Sequence, residues 1–283
     1  MPGVAELYGQ STRRRDSDWN GVVSAQACPF LGKRCVKSRK SSPEVTIGTC
    51  SVDYSKLPAP VMICPHRLLQ NGRIFTDAIH LLTSHQPGNE IHVVPEFSVP
   101  GGSVDYVLAS VRRRKAVDFV GIELQTLDTT GTVWPARESF LASVGVDHDG
   151  DAAASDSPFG MNWKMTAKTI LMQMHHKLGT FDHVNRKLVL VLQDELLHYM
   201  RREFSFGHLD DPASLGDPLQ FHAYSLEVTE EQSFELQMVE RVSTDVSGTA
   251  QALGLQAEVN VELGQILEGI TRRLGDSTLV TFD

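Results

Sequence analysis

The stretch SVDYVLASVRRRKAVDFVGIELQTL, residues 103–127, contains the clearest pattern of secondary structure in this chain. It consists of two runs, 103–112 and 117–127, in which apolar residues alternate with others at a period of two, the spacing of a β-strand with one buried face. A polar turn, RRRKA, joins the runs. The sequence therefore predicts two adjacent antiparallel strands.

The alternation also predicts which side chains share a face. In the second run Ile122 and Leu124 lie on one face, so Glu123 and Gln125 lie on the opposite one, because strand side chains alternate between the two sides of a sheet. Asp105 is likewise opposite the apolar positions of the first run. We expect Asp105, Glu123 and Gln125 to be presented on one side of the sheet.

These residue types suit a divalent cation site. Carboxylate oxygens of Asp105 and Glu123 are hard ligands of the kind that Mg²⁺ prefers, and Gln125 is a third polar group that could orient an attacking water. Glu96 is an additional candidate, either as a ligand through water or as a residue of the solvated rim. The alternative is that these residues form an ordinary solvated strand face. The arrangement is similar to the PD-(D/E)xK nuclease site, in which Lys usually completes the acidic dyad and Gln is a known substitute.

Strand and helix patterns surround this pair, and together they predict an α/β fold with a mixed sheet flanked by helices. A helix capped by Asn162 and ended by Gly179 carries one apolar stripe, and KLVLVL at 187–192 is typical of a fully buried strand. Residues 143–160 are expected to be a loop. Further strand or helix patterns occupy 71–88, 91–99, 219–228 and 261–274.

All four cysteines, Cys28, Cys35, Cys50 and Cys64, lie within 37 residues of each other. This segment is too poor in apolar residues to build a core by itself, so we expect something else to hold it together. Without a secretory signal, disulfides are disfavoured, and four thiolates suit a tetrahedral metal of the zinc or iron type. The paired C-x-x-C spacing of common zinc modules is absent, which leaves four unrelated thiols as the alternative; His66 is a competing ligand.

Length and charge limit the remaining possibilities. A chain of 283 residues supports one main domain with a small appended module, and we assign 1–70 to an N-terminal arm with the four-cysteine module and 71–283 to the main domain. The net charge of −9 disfavours nucleic acid, but residues 1–70 hold ten Lys and Arg against five acids, whereas 203–283 hold three against fifteen. This polarity is typical of one basic DNA-facing surface. No run is long and apolar enough for a membrane helix, so a soluble, cytoplasmic protein is expected.

Taken in order, the motifs resemble the NotI family of type II restriction endonucleases. The segments that carry the resemblance are ACPFLGKRC (27–35), TCSVDYSKL (49–57), VMICPHRLL (61–69), PEFSVPGGSVDYVL (95–108) and VGIELQTLDTTG (120–131). The resemblance covers about residues 25–200 and does not extend to the acidic C-terminal third.

The resemblance implies a PD-(D/E)xK core, a homodimer, and Mg²⁺-dependent cleavage of double-stranded DNA at a GC-rich palindrome. It also implies that Cys28, Cys35, Cys50 and Cys64 hold a structural iron, with zinc as the alternative, and that Asp105, Glu123 and Gln125 are the catalytic set. The length is nearer to the shorter, EagI-like members, which implies a recognition sequence containing CGGCCG. Two alternatives stay open: a catalytically decayed DNA-binding protein, and a non-specific repair nuclease of the same fold.

Overall fold

The computed structural model describes residues 3–14, 16–54, 56–146 and 159–254, together with the single positions 268 and 272. The strands are β1 (Gly3–Leu7), β2 (Gln10–Ser11), β3 (Ala27–Cys28), β4 (Lys33–Arg34), β5 (Ser38–Arg39), β6 (Ser42–Thr46), β7 (Thr49–Asp53), β8 (Val61–Met62), β9 (Glu90–Val99), β10 (Gly102–Arg112), β11 (Lys115–Gln125), β12 (Thr129–Thr130), β13 (Gly160–Met161), β14 (Lys187–Gln193), β15 (Leu219–Val228) and β16 (Phe234–Thr244). The helices are α1 (Trp19–Ala25), α2 (Arg73–Ala78), α3 (Trp134–Ser143), α4 (Trp163–His183), α5 (Asp194–Glu203) and α6 (Val246–Ala252), with 3₁₀ segments at Pro65–Gly72 and Ile79–Leu81.

The main sheet has six strands in the order β16-β15-β14-β11-β10-β9. The three central strands β11, β14 and β15 run parallel, whereas β9, β10 and β16 are antiparallel to their neighbours. The expected α/β class with a mixed sheet and flanking helices is therefore confirmed. The predicted antiparallel pair around RRRKA is β10 and β11, and KLVLVL forms the wholly buried strand β14.

One face of this sheet is covered by α4 and α5. The apolar stripe predicted for this helix begins at Trp163, which is half-buried against the core. Its other members are all buried in the same core cluster as the facing residues of β14 and β15: Ala167, Ile170, Leu171, Met174 and Leu178. The helix does not end at Gly179 but continues for one more turn to His183. The added turn buries Phe181 against the sheet.

The other face is covered by α2, the 3₁₀ segments and residues from the N-terminal quarter. The predicted N-terminal arm is wrong for its first part: β1 lies inside a four-stranded sheet, β2-β1-β7-β8, and Val4, Ala5 and Leu7 are buried. Val52 and Ala5 belong to the two large core clusters of the main sheet. The N-terminal segment thus shares its core with the rest of the protein.

Two expectations fall wholly or partly on residues that the structure does not describe. The predicted loop 143–160 includes 147–158, and the pattern at 261–274 is undescribed except at Glu268 and Arg272. Within the described ranges, no helix is both long enough and apolar enough to cross a membrane.

Candidate active site

Three acids occupy neighbouring positions on the outer half of the main sheet. Tyr106 pairs with Pro95 on β9 and with Ile122 on β11. One residue earlier on β10, the same register places Asp105 between Glu96 and Glu123. Paired residues of adjacent strands project to the same face of a sheet. Asp105 and Glu123 therefore share one face, as predicted, and the contact of Glu123 with Lys177 shows that this is the face covered by α4.

We call Glu96, Asp105 and Glu123 the acidic row. Asp105 and Glu123 differ in how far they are exposed to solvent. Asp105 is exposed and its Oδ2 accepts a hydrogen bond of 2.8 Å from the backbone N–H of Leu124. Glu123 is only 5% exposed. Burial raises the pKa of Glu123 to about 7, and the neighbouring carboxylate of Asp105 adds to this rise. The pair thus combines an accessible carboxylate with one that titrates near neutral pH.

Lys177 is the functional residue that sequence reasoning missed. Its ammonium group donates a hydrogen bond to Oε1 of Glu123 and forms a buried ion pair with it, and this contact opposes the rise in the pKa of Glu123. A signal was present in the sequence: Lys177 lies three residues after Met174 and four before Phe181, within the apolar stripe of α4. A lysine at such a position is buried only when it has a partner.

Two glycines allow α4 to approach closely enough for this contact. A Cβ on Gly121 would lie 2.4 Å from the Phe181 ring, and a Cβ on Gly101, whose φ is +92°, would lie 2.4 Å from the carbonyl oxygen of His176. The helix therefore lies directly against β11 and the β9–β10 turn. Larger residues at either position would push Lys177 away from Glu123.

Gln125 and Glu96 are placed at the margins of the site. Gln125 follows Glu123 on the same face, but its amide nitrogen donates to the carbonyl oxygen of Thr126 at 2.6 Å. Glu96 is exposed and has a φ of +50°, unusual for a strand residue. Burial raises the pKa of Tyr106, and the charges of Asp105 and Glu96 raise it further. Asp105 and Glu96 therefore both lie close to the Tyr106 hydroxyl group.

The donor set fits a hard cation. Within the part of the chain that the structure describes, Oδ1 of Asp105 and Oε2 of Glu123 accept no hydrogen bond from a backbone N–H or a cationic side chain. The two carboxylates are close enough for Asp105 to raise the pKa of Glu123. Mg²⁺ prefers such oxygen ligands and completes its shell with water. Among the described residues, no three His, Cys, Asp or Glu side chains are arranged to hold a metal ion together. Protein ligands beyond the Asp105 and Glu123 pair are therefore not assembled at this site.

None of the four cysteines forms a disulfide: Cys28 lies in β3, Cys50 in β7, Cys64 directly before the 3₁₀ segment Pro65–Gly72, and Cys35 directly after β4. Cys28, Cys50 and Cys64 are buried and Cys35 is half-buried. The backbone N–H of Cys64 donates to the carbonyl oxygen of Cys50 at 3.2 Å. Burial raises the pKa of the Cys64 thiol, and Cys35 and Cys28 raise it further. The thiols are thus neighbours, and thiolates are ligands of soft metals. However, no three of the four thiols are arranged to hold a metal ion together.

The cysteine segment adjoins the acidic row through His66. Burial lowers the pKa of His66, as do Lys37 and Lys33, whereas Asp105 acts in the opposite direction. Lys37 is half-buried and donates to the carbonyl oxygen of Ile63 at 2.7 Å. Lys33 is exposed and has no acidic partner among the described residues. Positive charge therefore borders the exposed carboxylate of Asp105.

Comparison of the chain with known protein families and curated proteins identified no relative. No family model matches the chain, and no curated protein matches it either. The geometry of the site and the motifs are what a functional assignment rests on.

Proposed function

We propose that this chain is a Mg²⁺-dependent endonuclease that cleaves double-stranded DNA, with the Asp105, Glu123 and Lys177 set as its active site. The single observation that carries the proposal is the buried contact of Lys177 with Glu123 next to the exposed carboxylate of Asp105. Two acids and a lysine are the functional groups of the PD-(D/E)xK site. Here the lysine comes from α4, while Gln125 occupies the usual lysine position on the strand.

Each residue has a distinct role in this proposal. Asp105 and Glu123 hold the cation, which supplies an activated water and neutralises charge on the phosphate. Lys177 lowers the pKa of Glu123 against the effect of burial, so that a larger fraction of this carboxyl group is ionised, and its ammonium group is available to stabilise charge on a reacting oxygen. Gln125 and Glu96 contribute polar groups at the rim.

The charge distribution supports DNA as the substrate. Lys33 and Lys40 are exposed and have no ion-pair partner among the described residues, and Lys33 is close enough to act on His66. Neutralising phosphates with such groups releases counterions and drives binding. Since the described chain carries one such site, cutting two antiparallel strands calls for two copies around a twofold axis and hence for a palindrome, which we propose contains CGGCCG.

The test is cleavage of a plasmid of known sequence by the purified chain with Mg²⁺. Wild type is expected to give discrete fragments that end in a palindrome. Asp105→Asn and Lys177→Met should each lower the rate by about 1000-fold, because one removes a cation ligand and the other an electrostatic partner. Lys168→Met, an exposed position of the same helix, is the matched control and should cut normally.

The outcomes separate the alternatives. A smear of products indicates a non-specific nuclease. Specific binding without any cutting indicates a DNA-binding protein whose catalytic site has decayed. Normal cutting by Lys177→Met excludes the role assigned to Lys177, and normal cutting by Asp105→Asn excludes the site as a whole.

We also propose that Cys28, Cys35, Cys50 and Cys64 hold one structural iron, with zinc as the alternative. Three of the thiols are buried, and thiolates of this number suit a tetrahedral soft metal. Elemental analysis of the purified chain should return about one iron or zinc per chain, and Cys50→Ser should lose it. Metal-free protein with normal stability and normal DNA cleavage contradicts this proposal.

A further inference from the structure

The turn between β10 and β11 places four consecutive cations at the end of a hairpin. Arg112 pairs with Lys115, so Arg113 and Arg114 form a two-residue loop. All four side chains are exposed. Within the described part of the chain none of them forms an ion pair, and the single side-chain contact of the loop is a 3.5 Å approach of Arg112 to the side-chain oxygen of Gln86.

The backbone of this loop is unfavourable for the residues that occupy it. Arg113 has a φ of +50° and Arg114 a φ of +63°, as a type I′ turn requires at both central positions. Such turns strongly prefer Asn-Gly, because side chains other than those of Gly, Asn and Asp are strained at positive φ. Two arginines therefore make the hairpin less stable than a common alternative sequence would.

No residue within the described ranges compensates the charge of this loop. Two acids on the flanking strands have other partners: Asp118 pairs with Arg186 at 2.9 Å, and Glu90 lies 3.2 Å from the ring nitrogen of His92. Strain and uncompensated charge at one place are typical of a binding position. The partner that matches four adjacent cations is a polyanion.

We infer that this arginine hairpin, residues 112–115, binds the phosphate backbone of the DNA duplex away from the scissile bond, an inference that rests on the proposed nuclease function. The hairpin and the acids share one pair of strands. Arg113 directly follows β10 and lies eight residues after Asp105, about 27 Å at the rise of a strand. At about 3.4 Å per nucleotide this spans about eight base pairs.

A membrane surface fits the hairpin less well than DNA. Interfacial binding to anionic lipid combines positive charge with a buried apolar face. Two single apolar side chains near the loop are exposed, Val117 at 40% and Ile91 at 37%, and the two lie on different strands. The loop itself is entirely polar.

The test replaces the loop by the sequence that the turn prefers. In Arg113→Asn/Arg114→Gly, relief of the strain should raise Tm by about 4 °C. DNA affinity, measured for the full chain with Ca²⁺ to prevent cutting, should fall about 60-fold at 0.1 M salt. The slope of log K against log[salt] should flatten by about 1.8, since each lost phosphate contact contributes about 0.9.

Two matched variants separate charge from turn geometry. Arg113→Lys/Arg114→Lys keeps both charges and should retain the affinity and the slope. Arg14→Gln/Arg202→Gln removes two guanidinium groups elsewhere that are already paired with Asp16 and Glu203, and it should also retain the affinity and the slope. Equal losses in this second control, or unchanged binding in the Asn-Gly variant, overturn the inference.

Failure of the hairpin and failure of the proposed function give different results. Cleavage by wild type with unaltered DNA binding in the Asn-Gly variant overturns the hairpin alone. Hairpin-dependent DNA binding without cleavage supports the hairpin and contradicts the catalytic proposal. Hairpin-dependent binding to phosphatidylserine vesicles, with no binding to DNA, overturns both.

Discussion

Two buried ion pairs, Arg67 with Glu6 and Lys177 with Glu123, differ in how completely their polar groups are satisfied. Arg67 is fully buried and its Nε lies 2.9 Å from both carboxylate oxygens of Glu6. The other guanidinium nitrogens donate to Gln70 and to the carbonyl oxygen of Phe234, each at 2.9 Å. Ser51 donates to Glu6 at 2.6 Å.

The second pair has fewer partners. Lys177 has one hydrogen-bond acceptor among the described residues, the Oε1 of Glu123. Glu123 lies beside a second carboxylate, that of Asp105, and burial together with Asp105 raises its pKa to about 7. The site is also open to solvent at Asp105.

The difference separates a pair whose charges are fully compensated from one whose polar groups are only partly used. The Arg67 network joins β1, β7, the 3₁₀ segment and β16, so it ties the first strand to the last one that the structure describes. Every charge in it is compensated. In the Lys177 pair, ammonium hydrogens have no acceptor among the described residues, and the proposed catalytic role needs such free groups.

The comparison predicts its largest effect for Arg67→Ala. Removing one partner of a satisfied buried pair leaves Glu6 uncompensated and should cost about 3–5 kcal/mol of the free energy of unfolding. Urea denaturation followed by circular dichroism measures this loss. Arg14→Ala removes a guanidinium from the surface pair with Asp16 and should leave the urea midpoint unchanged. A loss in Arg67→Ala no larger than in this control contradicts the structural role.

A smaller effect is expected for Glu123→Gln, which should raise the free energy of unfolding at pH 7 rather than lower it. The folded-state pKa of Glu123, about 7, lies above the ordinary glutamate value of 4.5 that applies to the unfolded chain. Between these values the folded state binds more protons than the unfolded state, so stability falls as pH rises from about 4.5 to 7. The shift corresponds to about 3 kcal/mol. Glu123→Gln should abolish this dependence and be more stable than wild type at pH 7 without Mg²⁺.

Urea unfolding of both proteins at several pH values in EDTA measures the difference. Lys177→Met provides a second test. Loss of the ammonium group removes the contact that lowers the pKa of Glu123, so this pKa should rise further. The stability of the variant should therefore fall with pH over a wider range than that of wild type. Identical pH profiles for wild type and Glu123→Gln contradict the assignment of the raised pKa to this carboxyl group.

Local patterns predicted most of the sheet and the face on which the acids lie. Alternating apolar residues indicated β10 and β11 to within two residues, and an uninterrupted apolar run indicated the buried strand β14. Confinement of the cysteines to 28–64 was evident from the sequence. The N-terminal strand β1 was missed because a strand of only five residues becomes buried through partners far along the chain, such as β7.

The sequence by itself therefore determined the strands, the stripe of α4 and the presence of Asp105 and Glu123 on one face, because side-chain periodicity is a local property of the backbone. Only the tertiary structure decided that Lys177 meets Glu123, 54 positions away, and that Arg67 meets Glu6, 61 positions away. Such pairs depend on how closely a helix or a segment packs on the sheet. The distance between α4 and the sheet is determined by glycines such as Gly121 and by the packing of the whole core. No local sequence pattern contains this information.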